Sequence, residues 1–214
     1  MARSKQASGS PSQTSEIEVG DPEARARQIC LRLLTIAPRT RAHLAQALHR
    51  RGVPDEAAEN VLSRFTDVGL IDDAAFARAW VESRHHSRGL SRRSLSAELR
   101  RQGVESDEIR EAVETLDPEQ EVATARRLVE QKLAGTRGQP PEVRVRRAAG
   151  TLARKGYPAP IAYRVVREAL DQEGADAAAA GIDLDDMALT MADGDADPAQ
   201  AHPEGPFSPD ADPW

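Results

Sequence analysis

LRRQGV, residues 99–104, recurs in near copy as LHRRGV at 48–53 and LARKGY at 152–157. Each copy runs Leu, three mostly basic residues, Gly, and an apolar residue. Their glycines, Gly52, Gly103 and Gly156, lie 51 and 53 residues apart. Helices commonly end on a left-handed residue, where glycine has no Cβ to clash, and basic side chains in the last turn suit the helix dipole. Nine and ten positions after each glycine the apolar residues return, as Val61/Leu62, Ala112/Val113 and Val165/Val166. Before each copy lies a further segment with a helical stripe, over 24–36, 73–84 and 120–133. Helices this short cannot bury a stripe alone and must be shared among neighbours. Three copies of a three-helix unit therefore account for the body, divided as 22–71, 72–117 and 118–171. The fold class is all-α with three tandem three-helix repeats.

Composition agrees with that reading. The 214 residues are 39% apolar but only 3% aromatic, so the core is made of Leu, Val, Ile and Ala, which favours helices over a β-sandwich. No apolar run approaches the roughly 20 residues of a membrane span, and no membrane partner is expected. The first residues, MARSKQASGSPSQTSE, carry no apolar signal core. The single cysteine, Cys30, has no internal partner and falls in an apolar stripe, which suits a reducing cytoplasm and a buried, inert thiol. Residues 1–21 and 172–214 lack helical periodicity and are expected to be disordered tails. Within the second tail, Ile182, Leu184, Met187, Leu189 and Met191 alternate with acids, a pattern open between plain disorder and a transient docking helix.

The formal charge of −6 conceals a split. Residues 21–170 carry 27 Lys and Arg against 21 Asp and Glu, while residues 171–214 carry 12 acids and no base. The body is basic and the tail alone makes the protein acidic. An acidic tail beside a basic body suggests self-competition with phosphate for the arginines.

LIDDAAFARAW, residues 70–80, tests for chemistry. Adjacent carboxylates at a helix start do not flank a substrate as an acid/base pair must. Asp72 instead reads as an N-cap and Asp73 as N1, both favoured by the dipole and touching their own backbone. Ile71 and Phe76 take the spacing of a hydrophobic staple, and Phe76, Ala77, Trp80 and Val81 form an inward face. Other chemistries lack apparatus. His85 and His86 point roughly 100° apart on a helix, and His43 and His49 also fall on different faces. No phosphate-cradling glycine motif is present. The expectation is a protein that is not an enzyme, with no catalytic residue, no cofactor and no metal.

The basic residues concentrate in two places. Arg84, Arg88, Arg92 and Arg93 surround a loop and helix start, with Arg100 and Arg101 at that helix's end. Leu95 and Leu99 face inward, so Arg92, Arg93 and Arg100 are expected to face solvent. The third unit repeats this with Arg144, Arg146, Arg147, Arg154 and Lys155 around the inward Ala148 and Leu152. Such arginines can contact phosphates of single- or double-stranded DNA, pair with carboxylates of a protein, or only form helix caps and a solvated face. Of the rings in the body, Phe65, Phe76 and Trp80 lie in core stripes. Too few remain for stacking bases, which leaves backbone-directed, sequence-tolerant contact.

Residues 64–104, RFTDVGLIDDAAFARAWVESRHHSRGLSRRSLSAELRRQGV, resemble the RecX regulatory proteins. The resemblance rests on Gly69-Leu70-Ile71-Asp72-Asp73, Phe76-Ala77, Arg84, Gly89 and Glu98 to Val104. It extends over about 24–171, is specific in the middle unit and weaker in the third. Gln102 stands where the family often has Lys, and the linker 135–141 and the acidic tail also depart from it. The resemblance implies helix-turn-helix-like repeats in an elongated, curved array along the groove of the RecA–DNA filament. It further implies a cytoplasmic, non-enzymatic regulator of recombination, DNA repair and the SOS response, mostly inhibiting the ATPase, strand-exchange and coprotease activities of RecA. A monomer is expected. The alternative is a helix-turn-helix transcription regulator, which usually acts as a dimer on a palindrome; three tandem units without a dimer domain favour the first reading.

Overall fold

Short polar residues set most helix starts in this chain. The computed structural model describes residues 21–172 and Gly174, and its regular structure is helical, with no strand among those residues. In the first unit, α1 (Pro22–Ile36), α2 (Arg41–Arg50) and α3 (Asp55–Asp67) follow one another. The second holds α4 (Asp73–Arg88), α5 (Arg92–Arg101) and α6 (Ser106–Glu114), and the third α7 (Pro118–Ala134), α8 (Pro141–Arg154) and α9 (Ala159–Gln172). Asp21, Thr40, Asp72, Ser91 and Asp117 each cap a helix by accepting from a first-turn N–H. Pro22 and Pro118 occupy N1, where a missing N–H costs nothing. The segments expected to be disordered, apart from their innermost residues, and the patch 182–191 lie outside the described residues.

Each unit has its own apolar core. Ala26, Cys30, Leu44, Leu48, Val61 and Leu62 centre the first, and Ala77, Trp80, Leu95, Leu99 and Ile109 the second. Val129, Leu133, Ala148, Leu152 and Val165 centre the third. Leu95, Leu99 and Leu152 are fully buried, each worth about 1.5–3 kcal/mol of burial. Cys30 is also fully buried, and burial pushes its thiol up to about 11, as an inert packing residue requires. Ile71 and Phe76 are both buried but do not form the expected staple within one core. Ile71 belongs to the first cluster and Phe76 to the second, so the chain crosses from core to core between them.

The glycines of the repeated pattern do two jobs. Gly52, Gly103 and Gly156 all have φ between +69° and +79°, the left-handed turn read from the sequence. Gly103 and Gly156 are also where consecutive units meet. A Cβ on Gly103 would lie 2.3 Å from Cβ of Ala42 in the first unit, and one on Gly156 only 2.0 Å from Oγ of Ser94 in the second.

The same junction is hydrogen-bonded twice over. The hydroxyl of Thr40 donates to the Gln102 carbonyl at 2.7 Å, and the N–H of Ser91 donates to the Lys155 carbonyl at 3.0 Å. An acid from the next unit then takes the N–H at N1. Both carboxylate oxygens of Asp73 accept from the Arg41 N–H, at 2.9 and 3.2 Å, and Oε1 of Glu121 accepts from the Arg92 N–H at 2.9 Å. Asp72 behaves as expected, accepting from the Ala75 N–H at 2.7 Å. Asp73 does not touch its own backbone as the sequence suggested; it binds the neighbouring unit instead. Burial raises its pKa, with the Arg41 N–H and guanidinium opposing.

Candidate nucleic-acid interface

The basic residues singled out from the sequence separate into internal and free groups. Arg84 is buried, its guanidinium 4.4 Å over the Trp80 ring and its Nε 4.0 Å from Oε2 of Glu98. The same Glu98 oxygen accepts from the Trp80 indole N–H at 2.9 Å. Burial lowers the Arg84 pKa, helped by the positive charge of Arg88 and opposed by Glu98. Arg92 is half-buried and pairs with Glu121 at 3.6 Å, which corrects its expected solvent-facing position. Lys155 is half-buried too, its ammonium donating to the Arg88 carbonyl; burial lowers its pKa, and Arg88 and Arg154 add to the effect. Arg144 reaches the Leu133 carbonyl at 3.2 Å. These four side chains hold units together or close a core. Helical periodicity alone did not reveal this, because their partners lie on other helices.

Between the second and third units the α4–α5 turn is fixed by several such bonds. Tyr157 is buried and donates its hydroxyl to the Gly89 carbonyl at 3.1 Å, so this ring is not available for stacking. His85 is buried with Nδ1 2.9 Å from the Leu90 carbonyl and Nε2 3.0 Å from the Thr124 hydroxyl. A carbonyl only accepts, so Nδ1 carries a proton. The adjacent histidines are thus structurally split, His85 inside and His86 exposed. No group of three or more metal-ligating side chains occurs among the described residues. Nor is any described helix long and apolar enough to cross a membrane.

The remaining candidates face outward. Arg93, Arg100, Arg101 and Arg147 are exposed, with no hydrogen-bond or ion-pair partner among the described residues, and Arg146 shares that state. Arg154 is exposed with a long 3.4 Å contact to the Thr151 hydroxyl, and the half-buried Arg88 ends α4 at the mouth of the turn. Arg93 and Arg100 stand seven residues apart on α5, as do Arg147 and Arg154 on α8. Two turns of helix bring such a pair onto one face about 10 Å apart. Arg50 ends α2 as Arg101 ends α5, and is also exposed. The sequence list omitted Arg50, although its distance from Gly52 matches that of Arg101 and Arg154 from their own glycines. Phe65, Phe76 and Trp80 are buried as expected. What the exposed rows offer is fixed positive charge without stacking rings, which suits phosphate or carboxylate but not base edges.

Comparison with known proteins gives three family matches in chain order. The RecX first three-helix domain matches residues 26–65, the second 72–113 and the third 119–166. Among curated proteins, the regulatory protein RecX of Thermobifida fusca (strain YX) is 64% identical over 154 residues, spanning 72% of this chain and 83% of the relative. That of Streptomyces coelicolor (strain ATCC BAA-471 / A3(2) / M145) is 62% identical over 156 residues, 73% and 83% of the two chains. The crystal structure of RecX from Lactobacillus salivarius has the same fold, with a TM-score of 0.66 at 17% identity over 71% of this chain and 98% of the other.

Proposed function

The chain belongs to the RecX family of regulatory proteins, and from that premise we propose that it binds the RecA–DNA filament and restrains it without catalysing a reaction. The filament-facing surface is the outward rows on the second helices of the units, Arg93 and Arg100 on α5 with Arg101 at its end, and Arg147 and Arg154 on α8. The observation that carries this reading is their exposure, with no hydrogen-bond or ion-pair partner among the described residues for Arg93, Arg100, Arg101 and Arg147 and only a long contact to the Thr151 hydroxyl for Arg154, against the internal bonding of Arg84, Arg92 and Lys155. Binding along the filament slows its ATPase, strand exchange and coprotease activities, which makes the protein a brake on recombination and repair in the cytoplasm. DNA contact is through phosphates of either single or double strands, and the working form is a monomer. Arg84, Arg92, Arg144 and Lys155 support the surface from behind. Arg88 flanks it.

The test is a RecA ATPase and strand-exchange assay at substoichiometric protein, beside binding to bare DNA. Reversing charge together at Arg93→Glu, Arg100→Glu, Arg147→Glu and Arg154→Glu is expected to abolish inhibition and leave the thermal unfolding midpoint unchanged. If all four touch phosphate, the slope of log affinity against log salt falls by about 3 to 4. Unchanged inhibition by the quadruple variant rejects this surface. Tight binding to one duplex sequence with no effect on the filament would instead favour a transcription regulator.

The acidic segment gives a second expectation. Residues 175–214 carry 10 acids and no Lys or Arg, enough to compete with phosphate for the exposed arginines. Truncation after Gly174 is expected to tighten DNA binding at low salt, with the gain shrinking as salt screens it. Equal affinities of full-length and truncated chains at low salt would remove the competition idea.

A further inference from the structure

Two helix starts in the chain are nearly the same. α1 opens with Asp-Pro-Glu-Ala-Arg, residues 21–25, and α7 with Asp-Pro-Glu-Gln-Glu, residues 117–121. Both have Asp at the cap and Pro at N1. They differ at N3, Ala24 against Gln120, and in charge at N4, where α7 has Glu121 and α1 has Arg25.

Glu121 receives the preceding unit: it is buried and accepts from the Arg92 N–H. Among the described residues α1 is the first helix, and Arg25 turns inward on its own unit. Its guanidinium donates to the Arg51 carbonyl at 2.7 Å. Arg51 immediately precedes Gly52, just as Gln102 and Lys155 immediately precede Gly103 and Gly156. The Gln102 and Lys155 carbonyls are the ones that Thr40 and Ser91 of the preceding units bind. Arg25 thus fills, from within, the acceptor that a preceding unit would take. Among the described residues nothing lies within 4 Å of a Cβ built on Gly52.

The last unit differs at the complementary place. Thr40 and Ser91 each lie twelve residues before their own unit's glycine and start a helix there. The residue twelve before Gly156 is Arg144, which lies inside α8. Its N–H already donates to the Pro140 carbonyl at 3.1 Å. An extra turn begins at Pro141, whose ring nitrogen has no N–H to offer. The donor end that receives a following unit in the first two repeats is missing from the third.

We infer that the array is closed at both ends against extension, by Arg25 at the first unit and by the extra turn Pro141–Val143 at the last. The surface that joins the units would otherwise join copies of the chain head to tail, an interface that does not close on itself and grows into a fibre. Terminal units of repeat arrays commonly differ from internal ones for this reason. The closed ends keep the junction chemistry internal. The inference does not depend on the proposed function.

Opening one end in each of two chains tests it. Arg25→Glu writes the acid of α7 into α1. The set Glu142→Gly, Val143→Leu and Arg144→Ser writes the Gly-Leu-Ser of residues 89–91 ahead of α8 in the same register. By sedimentation, each variant alone is expected to remain monomeric, and an equimolar mixture to rise towards twice the monomer mass and stop there. A mixture that stays monomeric while both chains keep the parent's helical circular dichroism overturns the inference, as does head-to-tail growth of the parent. A second variant covers loss of fold in the triple set. Glu121→Arg is expected to uncouple the third unit, so that amide exchange in α7–α9 accelerates relative to α4–α6, whereas Glu121→Gln keeps the two coupled. Equal exchange in these variants would show that the acid accepting the preceding unit's N–H does not decide whether a unit end is open.

Discussion

Gly156→Ala is expected to destabilise the protein by about 3 kcal/mol, and Gly103→Ala by a similar amount, against about 1 kcal/mol for Gly52→Ala. All three glycines are left-handed, so each substitution incurs the conformational cost of an L residue there, about 1–2 kcal/mol. The surroundings then separate them. At Gly156 a methyl meets Ser94 Oγ at 2.0 Å and Ser91 Oγ at 2.8 Å, and at Gly103 it meets Ala42 Cβ at 2.3 Å. The Ser94 hydroxyl can rotate away, but Ser91 caps α5 and its N–H binds the Lys155 carbonyl, so the whole junction must shift. A methyl on Gly52 meets nothing within 4 Å among the described residues. Urea unfolding of the three variants measures the difference directly, and equal losses at all three positions would show that the units do not meet through these turns. Amide exchange adds a spatial readout: Gly156→Ala should loosen α7–α9 from α4–α6, and Gly103→Ala the first unit from the second.

Glu98→Ala is expected to cost about 3 kcal/mol, in the range for breaking a buried ion pair from one side. Its carboxylate serves two groups at once, the Trp80 indole N–H at 2.9 Å and the Arg84 guanidinium at 4.0 Å. Truncation leaves the indole donor unsatisfied and the Arg84 charge in a core without its acid. Stacking cannot substitute for it, because the Trp80 ring already carries Phe76 at 5.5 Å as well as Arg84 at 4.4 Å. Glu98→Gln retains an acceptor for the indole and is expected to lose about half as much. Unfolding midpoints in urea compare the two. If alanine and glutamine at 98 cost the same, the indole bond contributes nothing and the charge alone matters. A functional corollary separates core from surface: Arg84→Ala should lose regulation together with stability, whereas the exposed arginines should lose regulation alone.

Much of this was legible in the chain. The spacing of Gly52, Gly103 and Gly156 and the apolar returns after them identified the units, because a short helix must place its apolar residues on one face whatever its neighbours are. The Asp72 cap was readable for the same local reason, since its partner lies three residues on. Asp73 was not readable. It has the right residue type for N1, but its acceptor oxygens are taken by an N–H 32 residues away. Arg84, Arg92 and Lys155 looked like members of a charged face, and their burial depends on Glu98, Glu121 and the Arg88 carbonyl, all three on other helices. Arg93, Arg100 and Arg147 looked the same in sequence and did reach solvent.

The sequence by itself determined the helical class, the repeat, the capped start of α4 at Asp72 and the likeness to RecX, all of which rest on contacts within a few residues or on a pattern repeated along the chain. Only the tertiary structure decided which charges are free and how units join. Those outcomes depend on bringing groups far apart in sequence within about 3 Å, a distance set by the packing of whole units and not by any one helix.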